Sequence, residues 1–329
     1  MAAGQAIGIV GLGRIGAGLA LNALGKGIRV VGQTRSGAKP ELLQAGLEEI
    51  RDPREFRAKL PRPRRVLLYL PAGPVTGTGI EALAEALEPG DVIADGGNAY
   101  WGDSIGRQAR LAGRGLHFVD LGTSGGVDGA REGACFMAGG EPAAVALLEP
   151  VLRAVAVEGG FVHAGPPGAG HFVKLVHNGI EFGMLQAIAE GYGLLRRFRA
   201  PLDIPGTVEC WRHGSVIRSW LVDLLAEALR RDPKLERPSG FIEDTGEVNW
   251  LVMDAMRMEA PIPVIAQSVM QLFASRGAAE AAAKAVVQMR NGFGGHPFGP
   301  EEGVARERRE GRVGDVFRPA QDDGEASRR

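Results

Sequence analysis

The sequence holds only two cysteines, Cys135 and Cys210, in 329 residues. Two thiols give no disulfide framework, so the class of small stapled secreted domains is excluded. The chain does not open on a charged stretch followed by a short apolar core, so no secretory leader is read and a reducing cytoplasm is the expected compartment. No run reaches the roughly 18 uninterrupted apolar residues that a membrane-crossing helix needs, so no membrane span is expected. Charge of one sign is also lacking, with 38 Lys and Arg against 39 Asp and Glu. Nothing in that balance holds a polyanionic backbone by counterion release, so a small molecule is the expected partner and nucleic acid is not.

Glycine, by contrast, is abundant. Its 50 residues show no three-residue period and fall inside alternating apolar segments, which predicts tight turns and close backbone approaches. The length suits two domains, each able to bury a core. From residue 6 to about 165, short β-branched runs alternate with helical stretches, the pattern of a parallel sheet with crossover helices. The strands are expected at 6–10, 29–32, 65–70, 92–95, 117–121, 134–138 and 161–164. Helices are expected at 15–26, 77–87, 104–112 and 142–155. After Gly165-Pro166-Pro167-Gly168 the strand signal stops and helical periods continue through Gly294. The reading is therefore α/β: a Rossmann doubly wound domain at 1–165, an all-helical domain at 166–300, and a charged, disordered tail at 301–329 that is rich in acids and arginines.

The first strand runs into Gly11-Leu12-Gly13-Arg14-Ile15-Gly16, which opens a helix. In that setting Gly11 permits the tight turn, Gly13 lets backbone N–H groups approach a pyrophosphate, and Gly16 lets the helix pack close. At the end of the second strand, Thr34-Arg35-Ser36 stands where an NAD-specific domain offers an acid to the ribose hydroxyls. A guanidinium flanked by hydroxyls suits a 2′-phosphate, which favours NADP. If Arg35 is only a solvated turn residue, NAD remains the alternative.

Gly168-Ala169-Gly170-His171-Phe172-Val173-Lys174-Leu175-Val176-His177-Asn178-Gly179-Ile180-Glu181 opens the second domain. At about 100° per residue, Lys174, His177, Asn178 and Glu181 share one face of a helix whose other sides are apolar and expected to be buried. A desolvated Lys can lose its proton near neutral pH and act as a general base toward a hydroxyl. Glu181 can then supply an acid two turns along, with His177 and Asn178 holding hydroxyls between them. An ordinary Lys–Glu pair on a solvated face is the other reading. His171 reads as a capping or packing residue.

Two turns add anion-binding groups. Thr123-Ser124-Gly125-Gly126 can present a hydroxyl and consecutive N–H groups to a carboxylate, and Asp95-Gly96-Gly97-Asn98 ends a strand at the sheet edge where ligands bind, placing Asn98 between cofactor and substrate. Farther on, Arg218 and the segment Arg290–His296 bring cations into helical surroundings.

Taken in order over residues 6 to 298, these segments closely resemble the decarboxylating 6-phosphogluconate dehydrogenases, in the short form whose helical domain is not duplicated. The resemblance implies Lys174 as general base and Glu181 as acid. It implies Ser124, Gly125 and Gly126 as the substrate-carboxylate loop, with Asn98, His177 and Asn178 as further substrate ligands. Arg218 and Arg290 match phosphate ligands, and His296 matches a histidine that the family supplies from a neighbouring subunit, which implies a homodimer or homotetramer. Leu70, Pro71 and Ala72 form the loop facing the nicotinamide, and no metal is needed. Two departures stand out: the family's Tyr after the catalytic Glu is Phe182 here, and its Lys-Gly-Thr-Gly-Lys-Trp segment reads 244–250 as Asp-Thr-Gly-Glu-Val-Asn-Trp. The implied reaction is oxidative decarboxylation of 6-phospho-D-gluconate. The alternative is a 3-hydroxyacid dehydrogenase acting on an unphosphorylated substrate without decarboxylation.

Overall fold

The computed structural model describes residues 5–294, 297–300 and 302, so His296 and the charged segment beyond residue 302 lie outside the described residues. By its internal contacts the chain divides into two units, Met1–Asn178 and Gly179–Arg329.

The first unit is built on one eight-stranded sheet. Its strands are β1 (Ala6–Val10), β2 (Arg29–Gln33), β3 (Glu48–Ile50), β4 (Arg65–Leu68), β5 (Val92–Asp95), β6 (His117–Ser124), β7 (Ala134–Gly140) and β8 (Ala156–Gly165). They lie in the order β3-β2-β1-β4-β5-β6-β7-β8. The helices between them are α1 (Arg14–Gly25), α2 (Pro40–Gln44), α3 (Phe56–Lys59), α4 (Pro74–Ala86), α5 (Trp101–Ala112), α6 (Gly126–Glu132) and α7 (Pro142–Val155). Successive strand residues face opposite sides, and both sides are covered. Ile7, Ile9, Leu67 and Val119 pack with α1 and α7 residues such as Leu19, Leu148 and Leu152. Ala6, Val10, Val66, Leu68 and Phe118 pack with Phe56, Ile80 and Leu83 on the other side. Double coverage explains why these strands read as continuous apolar runs instead of alternating ones. The order reverses between β1 and β4, which leaves a crevice at the carboxyl ends of the strands, where open α/β sheets take their ligands.

The expected doubly wound sheet followed by helices is what the chain forms, with differences in detail, among them a β8 that begins at Ala156 and the short helices α2, α3 and α6. The sheet is not wholly parallel, because β7 runs antiparallel to β6. Strand β3 is a three-residue edge of Glu-Glu-Ile, too short and polar to carry an apolar signal. Residues 123 and 124 extend β6, and Gly126 opens α6, so the segment expected as a simple turn is a strand-to-helix junction. Strand β4 stops at Leu68, two residues early, with one more ladder bond from Tyr69 N to Val10 O.

Helix α8 (Ala169–Leu195) begins in the first unit and continues into the second. Its first turn sits directly on β6 and β7, and three glycines permit the approach. A Cβ on Gly170 would come within 2.3 Å of Asp120 O, and one on Gly139 within 2.4 Å of Gly170 N. A Cβ on Gly122 would lie 2.7 Å from Lys174 Cβ. The buried Asp120 carboxylate accepts from Gly168 N at 2.7 Å and His171 N at 2.8 Å, capping α8 from across the sheet. A carboxylate in that position answers otherwise orphaned N–H groups and the positive end of the helix together.

The second unit is helical throughout its described elements: the rest of α8, then α9 (Ile204–Trp211), α10 (Trp220–Arg231), α11 (Glu247–Arg257), α12 (Pro263–Ser275) and α13 (Glu280–Gly294). Ile204, Val208, Val222, Ala226 and Leu229 form a small core between α9 and α10. Ser219 caps α10 by accepting from Val222 N. The expectation that α8 is buried on its apolar sides holds only in part: Leu175 is buried and Phe172, Val176 and Phe182 are half-buried, but Ile180 is 52 % exposed, Leu185 45 % and Met184 40 %. An apolar helical period says that a face needs covering, not that the same chain covers it. Among the described residues, no helix is long and apolar enough to cross a membrane.

Candidate active site

At the end of β1 the chain turns through Gly11, whose φ of 91° and distance of 2.3 Å from a built Cβ to Tyr69 O admit only glycine. A Cβ on Gly16 would meet Gly11 O at 2.0 Å, so α1 returns tightly against the turn. At Gly13 the opposite holds: a Cβ there would meet nothing within 4 Å. No side chain caps α1 and no acid stands in its first turn. The uncapped, unobstructed N–H groups, beside exposed Gly13 and Arg14, fit a dinucleotide pyrophosphate. Leu12 is buried and Ile15 half-buried, so they pack the turn from beneath.

Thr34, Arg35 and Ser36 follow β2 at the same edge, with the two hydroxyls 3.4 Å apart and the Arg35 side chain exposed. The loop is braced by Glu49 of β3, whose Oε1 accepts from Ala38 N at 2.9 Å. After β4 come Leu70, Pro71 and Ala72, the last two exposed, with Pro71 O accepting from Thr76 Oγ1 at 2.8 Å.

The turn after β5 is held from three sides. Asp95 pairs with Arg107 at 2.9 Å and accepts from Gly97 N at 3.1 Å. Its backbone oxygen accepts from His171 Nε2 at 3.0 Å. That bond puts the proton on Nε2 and leaves Nδ1 to accept from Ser104 Oγ at 2.7 Å. His171 is thus a buried tie between α8, β5 and α5, in keeping with the packing role read from the sequence.

Asn98, at the end of this turn, accepts from Asn178 Nδ2 at 3.5 Å. Lys174 Nζ donates to Asn178 Oδ1 at 2.7 Å and lies 3.4 Å from His177 Nδ1. His177 Nε2 is 3.1 Å from Ser124 Oγ. With Lys174 as donor, Nδ1 accepts and the Nε2–H donates to Ser124. The first unit therefore joins Ser124, His177, Lys174, Asn178 and Asn98 in one hydrogen-bonded line at the carboxyl edge of the sheet. Gly125 and Gly126 continue from Ser124 with φ of 116° and 62°, so their amides turn at the mouth of α6. Such a line has an amine beside polar groups suited to hydroxyls, and a hydroxyl followed by consecutive backbone amides suited to a carboxylate.

Three further candidates belong to the second unit. Glu181 stands seven residues past Lys174, two turns along the same helix, and is half-buried. Arg218 is exposed between α9 and α10, and Arg290 is exposed on α13. His296 lies outside the described residues. Among the described residues, no cluster of three metal-ligating side chains occurs.

Four supports were missed in the sequence reading: Asp120, Arg107, Gly122 and Tyr69. Asp120 offered a faint signal, a lone acid within the apolar run Phe118-Val119-Asp120-Leu121. The others act through partners distant in the chain.

Comparison with known proteins gives the family. Residues 6–165 match the family model described as the NAD binding domain of 6-phosphogluconate dehydrogenase, and residues 170–294 match that enzyme's C-terminal domain. YqeC of Bacillus subtilis, named only provisionally as a 6-phosphogluconate dehydrogenase, is 39 % identical over 88 % of this chain and 98 % of its own length. The NAD(+)-dependent, decarboxylating 6-phosphogluconate dehydrogenase of Haloferax volcanii is 35 % identical over 88 % of this chain and 97 % of its own. The solved Plasmodium falciparum 6-phosphogluconate dehydrogenase, studied with NADP+ and with 6-phosphogluconate, superposes with a TM-score of 0.75 at 26 % identity, covering 85 % of this chain and 64 % of that one. With a nicotinamide-dinucleotide domain and the enzyme's own C-terminal domain matched in order along one chain, the protein belongs to the 6-phosphogluconate dehydrogenase family.

Proposed function

We propose that the protein oxidatively decarboxylates 6-phospho-D-gluconate to D-ribulose 5-phosphate and CO2, with NADP as the preferred oxidant and NAD as the alternative. The observation that carries this reading is the amine of Lys174, held 2.7 Å from Asn178 Oδ1 within the line that ends at Ser124 and Asn98. A bound nicotinamide supplies the hydride acceptor for C3 of the substrate. Lys174, as a neutral amine, takes the proton of the C3 hydroxyl as that hydride leaves. The resulting ketone lies β to the carboxylate, so loss of CO2 needs only a proton on the developing enolate oxygen, which Lys174 now carries. Glu181 protonates the carbon that becomes C1 of the ketose. Ser124 and the Gly125 and Gly126 amides hold the carboxylate, while Asn98, His177 and Asn178 hold hydroxyls. Arg218, Arg290 and His296 take the phosphate. Gly11–Gly16, Thr34–Ser36 and Leu70–Ala72 hold the dinucleotide, and no metal takes part.

A cytoplasmic setting suits two free, exposed thiols at Cys135 and Cys210. The exposed Ile180, Met184 and Leu185 on α8 support a homodimer or homotetramer. The replacement of a family Tyr by Phe182 keeps a second reading open, a 3-hydroxyacid dehydrogenase of unphosphorylated substrates. One experiment separates them: reduced nicotinamide and released CO2 are measured with 6-phosphogluconate and with gluconate. Both products with the phosphorylated acid are expected; turnover of gluconate alone, or without CO2, overturns the leading reading.

A further inference from the structure

Tyr69 is a titratable group at the site's edge for which the mechanism has no use. Its N–H donates to Val10 O, which continues the β1–β4 ladder one residue past the strand. From there its side chain crosses a whole strand. Gly96, at the end of β5, makes the crossing possible, since a Cβ there would fall 2.5 Å from the Tyr69 ring and 2.7 Å from its hydroxyl oxygen. The hydroxyl arrives 3.1 Å from Thr123 Oγ1 on β6. Two strand spacings are about 9.5 Å, a gap closed by the Tyr69 side chain, its hydrogen bond and the Thr123 side chain together.

The direction of the bonds follows from the acceptor at the end. Thr123 Oγ1 donates to Leu121 O at 3.3 Å, so its own oxygen is left to accept and Tyr69 must donate. Burial holds the Tyr69 phenol above the usual range, the nearby Asp95 charge adding to it, so the donor keeps its proton through any working pH. Thr123 is thereby fixed by two bonds at the residue just before Ser124, Gly125 and Gly126. At its other end, Tyr69 lies against the dinucleotide turn: its carbonyl is the atom that forbids a Cβ at Gly11, and its Cβ would be 3.5 Å from one on Gly16.

We propose that Tyr69 is a positioning residue: its ring bridges the dinucleotide turn to β6, and its hydroxyl, through Thr123, sets the Ser124–Gly126 loop for the substrate carboxylate. The loop's role rests on the function proposed above. The test uses Tyr69→Phe, Thr123→Val and the double variant in the full-length protein. Three quantities are read: amide hydrogen exchange over residues 123–126 without ligands, the affinity for 6-phosphogluconate by calorimetry, and KM and kcat for substrate and nucleotide.

Loss of one neutral hydrogen bond predicts, for Tyr69→Phe, about fivefold faster exchange at Gly125 and Gly126 and about fivefold weaker substrate binding. The substrate KM rises in step, while kcat and the nucleotide KM stay within about twofold. Thr123→Val loses at least as much, and the double variant matches it, because both singles break the same bond. Wild-type exchange in Tyr69→Phe overturns the proposal, as does a double variant whose effects multiply. A fall in kcat and thermal midpoint with KM unmoved also overturns it, by reducing Tyr69 to plain packing. If the unmodified protein yields neither CO2 nor reduced nicotinamide, the functional reading fails on its own, and the exchange rates still decide whether the Tyr69 hydroxyl orders the loop.

Discussion

In residues 1–178 the two acids that frame the site are buried and answered from within. Asp95 meets Arg107 and Gly97 N, and Asp120 meets two amides of α8. In residues 179–329 the ion pairs lie mainly at the surface, among them Arg212 with Asp223, Arg230 with Glu227 and Arg231 with Glu227. Asp254 with Arg257 and Asp244 with Arg276 are exceptions, each with a buried carboxylate. Breaking a buried pair costs several kcal/mol because it strands a charge, whereas an exposed pair contributes about 0–1 kcal/mol. The same contrast holds for apolar groups, since Val264, Met256 and Leu194 stay largely exposed while the sheet's two cores are closed. The sheet unit is thus preorganised by its own contacts, and the helical unit leaves more of its apolar surface exposed in the single chain.

The sharpest way to break that comparison is at Lys174. Lys174→Met keeps the length of the side chain and removes the base, so kcat should fall about a thousandfold or more while nucleotide affinity stays within about twofold. Steady-state kinetics and nucleotide titration check both halves. Near-normal turnover would show that the hydrogen-bonded line is scaffolding without chemistry. Next in size is Gly122→Ala. Its added methyl would meet Gly170 O and Lys174 Cβ, both 2.7 Å away. Backbone cannot yield there as a flexible side chain would, so the start of α8 must shift. A displacement near 1 Å at the reacting groups predicts about a hundredfold loss of kcat with nucleotide affinity retained. Normal kcat would mean that the seat of α8 is looser than its glycines imply.

The helical unit gives the third test. About half of the Ile180 side chain remains exposed in the single chain. If a second copy covers it, Ile180→Ser removes about 1 kcal/mol per copy, or about 2 kcal/mol across a symmetric pair. Self-association measured by sedimentation should then weaken about thirtyfold. An unchanged association constant would leave this face to solvent and confine the assembly to other surfaces.

What could be read from the chain, and what could not, follows the range of the interactions. Strands β1 and β5 and helix α7 fall where their apolar and Pro or Gly signals place them, since those signals are local. Lys174, His177 and Asn178 were legible as a group because helical spacing alone puts them on one face. The glycine turn was legible because its glycine spacing between one strand and the next helix is a local signal, although the atom that excludes a Cβ at Gly11 is Tyr69 O, past β4. Strand β3 was not, being held by register with β2 and not by its own composition. Nor was the direction of β7, which depends on how α6 turns the chain back after Gly126. Asp120 reaches residues 48 and 51 positions away, and Tyr69 reaches Thr123 across 54. Interactions at that separation leave no period in the sequence, so the supports of the site stayed hidden while the groups they support did not.

The smallest effect is expected where the sheet unit is least enclosed. Arg35 is exposed, in a loop braced from behind by Glu49 through Ala38 N, so Arg35→Ala should leave the loop's path intact. If its guanidinium pairs with a 2′-phosphate, the substitution lowers kcat/KM for NADP about fivefold and leaves NAD within about twofold, because an exposed charge-assisted contact is weakened by water. Screening adds a second signature: raising the ionic strength from about 0.05 to 0.5 M should shrink the difference between the two proteins, since the Debye length falls below the span of the contact. Equal losses with both nucleotides would mean that Arg35 supports the turn without reading the phosphate. Any preference for NADP would then have to come from the hydroxyls of Thr34 and Ser36, and even this open corner would count as part of the prebuilt frame.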